Sequence, residues 1–173
     1  AVEKRAALCY PVFTIQARSY EEHIMEFRKI DRTNDQDCMA LTLAPEQVHF
    51  VADNTRSLVE AAFEDGLYTL GIYQEGTMIG FILYDYDGEI PGWSLSRFML
   101  GRQFQGKGYG QRAAAEFLCW FKAQHPEAER IYISVSLENT VARRMYAALG
   151  FRPLREVEYT WSGMLYREMQ MVK

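Results

Sequence analysis

At 173 residues, 49% hydrophobic and 24% charged, the chain has the apolar content for one sizeable core and too little length for two full domains. Its net charge of -4 argues against a general affinity for nucleic acid and suits a cationic small-molecule partner. No apolar run approaches the roughly 18 residues of a membrane span, and the opening AVEKRAALCYPVFTIQ lacks the hydrophobic region of a leader. A single domain over 1–173, cytoplasmic and off the membrane, is therefore expected. Cys9, Cys38 and Cys119 are odd in number and have no metal-ligand spacing, so buried thiols are expected, with no disulfide framework and no metal site.

In chain order, VFTIQA alternates like a strand. SYEEHIMEFRKI follows with Ser19 as N-cap, Glu22 three residues on, and Ile24, Phe27 and Ile30 at helical spacing. A polar loop, DRTNDQDC, leads into APEQVHFVADNTRSLVEAAFEDG, one or two helices with Pro45 in a first turn, Asn54 starting the second and Gly66 ending the region. LYTLGIYQ and TMIGFILYDYD flank Glu75-Gly76 as a hairpin, and WSLSRFMLG is a further strand. After a glycine-bearing loop, Ala113, Ala114, Phe117, Leu118 and Phe121 form one face of a helix that stops before Pro126. RIYISVS is a strand, NTVARRMYAALG a helix closed by Gly150, and FRPLREVEYTW with MLYREMQMV a final strand pair. The order β-α-α-β-β-β-α-β-α-β-β implies an α/β (α+β) domain with a mixed sheet and helices on its faces.

The glycine loop bears on three phosphate-binding patterns. Gly101 to Gly108, GRQFQGKG, nearly fits GxxxxGK[ST], but Gly108 stands where a hydroxyl would hold magnesium. A dinucleotide fingerprint would need glycine at Gln111. The pattern QxxGxG is met by Gln105, Gly108 and Gly110 between a strand and a helix, where glycines let an anion reach backbone N–H groups at the positive end of the helix.

Together with VSLENTVARRMYAALGFRP, from Val135 to Pro153, this loop resembles the two signatures of the GCN5-related N-acetyltransferase (GNAT) family, in the same order and separation. The resemblance implies a mostly antiparallel sheet flanked by helices, acetyl-CoA as acetyl donor, and direct attack by an amine. It implies that Gln105, Gly106, Lys107, Gly108, Tyr109 and Gly110 cradle the pyrophosphate, with charge added by Lys107. The main chain of Phe98, Met99 and Leu100 would hold the pantetheine arm and donate to the developing oxyanion. Tyr146 occupies the position of the general acid that protonates the departing thiolate. Helical spacing places Asn139, Arg143 and Tyr146 on one side, where Asn139 and Arg143 would also meet the cofactor, and turns Val141, Met145 and Ala148 toward the core. Asn139 also suits a simple N-cap.

The general base is open among Glu60, Glu64, Asp85, Asp87 and Glu89, and His23, His49 and His125 are scattered singly. APEQVHFVADNTRSLVEAAF, IGFILYDYD and WSLSRFML are similar to the bacterial diamine and spermine/spermidine acetyltransferases of that family, which implies a polyamine acceptor. Asp85, Asp87 and Glu89 beside Trp93 would then offer charge and an aromatic face to a cation. Gly101 and Arg102 depart from that group, in which an acidic residue follows the strand. Other acceptors (an aminoglycoside, an amino acid, a protein N-terminus), a non-catalytic acetyl-CoA-binding module and a magnesium-dependent nucleotide binder are the alternatives. The closing strands suit a homodimer in which they extend a partner's sheet.

Overall fold

The computed structural model describes residues 24–88, 92–161 and 163–173. Seven strands form one sheet in the order β1-β2-β3-β4-β5-β7-β6: β1 (Glu26–Lys29), β2 (Leu67–Gln74), β3 (Thr77–Asp87), β4 (Gly92–Leu100), β5 (Ile131–Ser136), β6 (Arg152–Trp161) and β7 (Met164–Val172). Every pairing is antiparallel except β4 with β5. Helices α1 (Asp35–Ala40) and α2 (Asn54–Phe63) cover one face, and α3 (Tyr109–Gln124) and α4 (Thr140–Ala148) the other. The mixed, mostly antiparallel sheet with helices on both faces is thus as the sequence suggests.

Local chemistry accounts for most of these elements. Glu75 and Gly76 both take positive φ, 51° and 76°, which matches a two-residue hairpin turn to strand twist and joins β2 to β3. Asp53 caps α2 by accepting from the Arg56 N–H at 2.9 Å. On α3, Ala113, Ala114, Phe117 and Phe121 are buried, so two small residues bring the helix axis close to the sheet while two rings fill the core.

The amino-terminal third departs from expectation. Residues assigned to a helix through Ile30 instead include the edge strand β1, and the stretch expected as a polar loop contains α1. The expected VFTIQA strand, the Ser19 cap and Cys9 lie outside the described residues. Cys38 is fully buried, and burial pushes its thiol up to about 12, which leaves it inert as a nucleophile at neutral pH.

A bulge in β4 sets up the rest. Leu83 pairs with Arg97 and Tyr84 with Leu95, so Ser96 is an extra residue. Trp93, Leu95, Phe98 and Leu100 therefore all meet the cluster under α3, while Arg97 and Met99 turn to the α1–α2 face.

Candidate active site

Strands β4 and β5 pair only at Trp93 with Ile131 and Ser94 with Tyr132. Beyond those two rungs, Leu95–Leu100 and Ile133–Ser136 part, and one backbone edge of each is left without a ladder partner. Phe98, Met99 and Leu100 lie on this parted segment; Met99 and Leu100 are buried, and Phe98 packs on the core cluster.

The glycine loop stands at the head of the gap. Gln105 Nε2 donates to the Leu100 carbonyl at 2.9 Å, the Gly101 N–H to Ile79 O at 2.9 Å and the Arg102 N–H to Thr42 O at 2.8 Å, which ties the loop to both faces. Gly106 and Gly108 have φ of 72° and 81°, and a Cβ built on either meets nothing within 4 Å. Those side-chain directions open into free space in front of α3. Gly108 is the N-cap of α3 and no side chain caps that helix. The N–H groups from Gly106 to Gly110 have no hydrogen-bond acceptor among the described residues. Unclaimed donors at the positive end of a 16-residue helix, with room in front of them, fit a pyrophosphate. Lys107 is exposed at the rim, and Tyr109 is half-buried with the Arg112 guanidinium 5.5 Å from its ring centroid. A Cβ at Gly110 would sit 3.7 Å from Leu100 Cδ1 and 3.8 Å from Met145 Sδ, so the loop, the end of β4 and α4 converge there.

On α4 the inward face is Ala142, Met145, Tyr146 and Leu149. Val141 is exposed and so is Ala148, which corrects the expectation that both face the core. Tyr146 is 6% exposed and meets Phe151 edge-on at 5.5 Å; burial raises its phenol well above the ordinary value, so it stays protonated and able to donate at neutral pH. Asn139 Oδ1 accepts from the Ala142 N–H at 3.1 Å, a helix cap, and Arg143 Nη1 donates to Leu137 O at 3.1 Å, which holds the turn between β5 and α4.

The carboxylates raised as bases separate. Glu60 is held by Arg97 at 2.5 Å and Arg56 at 3.0 Å; burial alone would raise its carboxyl, but the two guanidinium groups hold it below the ordinary value. It is an ion-pair partner. Glu64 is exposed at the end of α2. Asp85 accepts from Ser96 Oγ and pairs in register with Ser94, and Asp87 pairs with Gly92. These two lie at the end of β3 opposite Ser94 and Gly92, six and eight residues before Leu100 on β4 and roughly 17–23 Å from it, too far to line a channel at the loop. Glu89 lies outside the described residues.

The acidic lining is elsewhere. A cavity of about 220 Å³ at the C-terminal end of β5 is bordered by His49, Ser136, Glu138, Tyr166, Arg167 and Glu168. His49 Nε2 lies 3.8 Å from Glu138 Oε2. Glu168 pairs in register with Ser136, has the Tyr159 hydroxyl beside it, and is raised above the ordinary carboxylate value by burial. Sequence reasoning missed Glu138 and Glu168 and set His49 aside, because nothing in the local spacing joins residues so far apart in the chain. Among the described residues no group of three or more His, Cys, Asp or Glu side chains can hold a metal, and no helix is long and apolar enough to cross a membrane.

The acetyltransferase (GNAT) family matches residues 19–151 of the chain. The spermine/spermidine N(1)-acetyltransferase of Bacillus subtilis (strain 168) is 28% identical over 137 residues, which cover 75% of this chain and 88% of that protein. The spermidine N-acetyltransferase of Vibrio cholerae, solved in complex with CoA and spermine, superposes with a TM-score of 0.67 at 15% identity, over 87% of this chain and 95% of that one. The aminoglycoside N(6')acetyltransferase of Legionella pneumophila gives the same TM-score, 0.67, at 15% identity over 87% and 93%. At such identity the structural likenesses show a shared fold.

Proposed function

The chain belongs to the GNAT acetyltransferase family, with acetyl-CoA as its acetyl donor, and on that premise we propose that it acetylates a primary amine of a polyamine such as spermine or spermidine. One observation carries the reading: the one parallel strand pair among the described residues parts beside a loop of unclaimed N–H groups, and a carboxylate-bordered cavity lies at the same end of the sheet. The loop from Gln105 to Gly110 binds the pyrophosphate, with Lys107 adding charge at the rim. The parted edge of Phe98, Met99 and Leu100 supplies main-chain groups to the pantetheine arm and an N–H to the oxygen that gains charge. Asn139 and Arg143 fix the start of α4 beside the cofactor, and Tyr146 gives its phenolic proton to the leaving sulfur.

The polyamine class rests on the named relatives and on charge. A polycation is drawn to a protein of net charge -4, and Glu138 and Glu168 border a cavity wide enough for an aminoalkyl arm. The protein works in the cytoplasm, where polyamines and acetyl-CoA are both present, and the open edge of β6 suits pairing with a second copy.

Release of CoA thiol from acetyl-CoA, with spermine, spermidine, putrescine, an aminoglycoside and a peptide N-terminus offered in parallel, tests the acceptor. Release with the polyamines alone is expected. Release only with another amine overturns the polyamine assignment, and binding of acetyl-CoA without release to any amine overturns the enzymatic reading.

A further inference from the structure

The acceptor amine of a polyamine arrives as an ammonium and must lose a proton before its nitrogen can attack. None of Glu60, Glu64 and Asp85 is placed to take it: Glu60 is bound by two arginines, Glu64 is exposed at the end of α2, and Asp85 stands on β3 opposite the far end of β4. One carboxylate combines partial burial with the correct end of the sheet. Glu168 lies on β7 opposite Ser136, the last residue of β5, and borders the cavity at the C-terminal end of that strand, the end toward which β4 and β5 diverge.

Register fixes its neighbourhood. Met169 and Met171 of β7 enter the core under α3 and α4, so Tyr166, Glu168 and Gln170 face the other side of the sheet. Tyr159 of β6 pairs in register with Tyr166, and the two rings stack at 5.3 Å, which holds the Tyr159 hydroxyl against Glu168. His49 reaches the cavity from the segment joining α1 to α2. The cavity thus opens on the α1–α2 face, while Tyr146 and the start of α3 lie on the other.

We infer that Glu168 is the proton acceptor for the amine in this cavity, with Tyr159 as the positioning residue that orients its carboxyl. The inference rests on the acetyl-transfer reading above. In the step, an ammonium proton passes to a Glu168 oxygen and from there to water. The neutral nitrogen forms a C–N bond to the acetyl carbon, and the C–S bond breaks. The sulfur leaves with the Tyr146 proton, and the second nitrogen proton, released as the amide forms, restores Tyr146 through solvent. One proton is released overall and no oxidant or metal is required.

Burial raises the Glu168 carboxyl and the hydrogen bond from Tyr159 opposes the rise, so its basicity moves toward that of a useful base while it remains a hydrogen-bond acceptor. The charged and titratable groups around it are Tyr159, Tyr166, Arg167, Glu138 and His49, with Arg97 acting on Tyr159 from β4.

The test compares kcat and kcat/KM for spermidine in the wild type, Glu168→Gln and Glu168→Asp from mildly acidic to alkaline pH, with acetyl-CoA binding measured by calorimetry as the check on folding. For Glu168→Gln, unchanged acetyl-CoA binding and a kcat about 10²-fold lower at neutral pH are expected, the deficit shrinking as rising pH lets solvent take the ammonium proton. Glu168→Asp should keep part of the rate, and it decides the matter if the Gln variant loses acetyl-CoA binding. A Gln variant with unchanged kcat, or with a deficit equal at every pH, overturns the inference and leaves the acetyl-transfer reading intact. A wild type that acetylates no amine overturns both.

Discussion

Gly108 shows how much of this site is backbone. Its φ of 81° is a conformation that a β-branched side chain adopts only with strain, and a side chain there would project into the space in front of the α3 N–H groups. Gly108→Val should therefore raise the acetyl-CoA dissociation constant by about 10-fold or more, since left-handed backbone alone costs about 1–2 kcal/mol; calorimetry with an unchanged constant would remove the loop from the cofactor site. Tyr146 makes the complementary case, a side chain whose chemistry matters more than its packing. Tyr146→Phe keeps the ring against Phe151 and removes the proton, so kcat should fall about 10²–10⁴-fold with acetyl-CoA affinity retained. Steady-state kinetics showing an unaltered kcat would end its role as the acid. Both residues could be singled out as candidates in the sequence because a glycine pattern and a helix signature are local. Glu168 could not, since a lone glutamate in a strand carries no sign of what the sheet will set beside it.

At the scale of elements, hairpins and long amphipathic helices announced themselves, and the short elements did not. Around β1, Met25 just before the strand is buried, Phe27 within it packs under α3, and Ile24 is 62% exposed. That period of two was masked by Ile24, Phe27 and Ile30, which imitate a helical face. In α1 only Cys38 is buried, too little apolar content for six residues to signal a helix. The bulge at Ser96 was equally hidden, yet it alone turns Arg97 toward α2, where Glu60 meets it. This ion pair fastens α2 to the strand that carries the site. Because the folded protein holds Glu60 below the ordinary carboxylate value, its stabilising contribution is present above that value and is lost as pH falls through the lowered one. Glu60→Gln should cost roughly 1.5–3 kcal/mol at neutral pH. In urea melts the gap to wild type should close as pH drops below the ordinary carboxylate range; a gap independent of pH would mean that packing, not charge, joins α2 to β4.

For the whole molecule, the order β1-β2-β3-β4-β5-β7-β6 puts the parallel pair β4–β5 inside the sheet, where a strand gap opens between the helical layers. On the proposed reading the donor-binding groups come from β4, the loop and α4 on one side, and the carboxylate-bordered cavity is built from the α1–α2 connection, β5 and β7 on the other. On that reading an amine and a thioester would meet from opposite faces, with no covalent relay needed between them. The family signatures single out candidates for the donor side because those residues are contiguous in sequence. The acceptor side is assembled by the topology, and the acidic run at Asp85 and Asp87, which looked suited to a cation, stands at the other end of the strand. The most direct measurement is the mass and acetylation position of spermidine after incubation with the protein and acetyl-CoA. A product carrying one acetyl group on a terminal primary nitrogen, formed as free CoA appears, is the result predicted. Spermidine recovered unmodified while acetyl-CoA stays bound and intact would contradict the account.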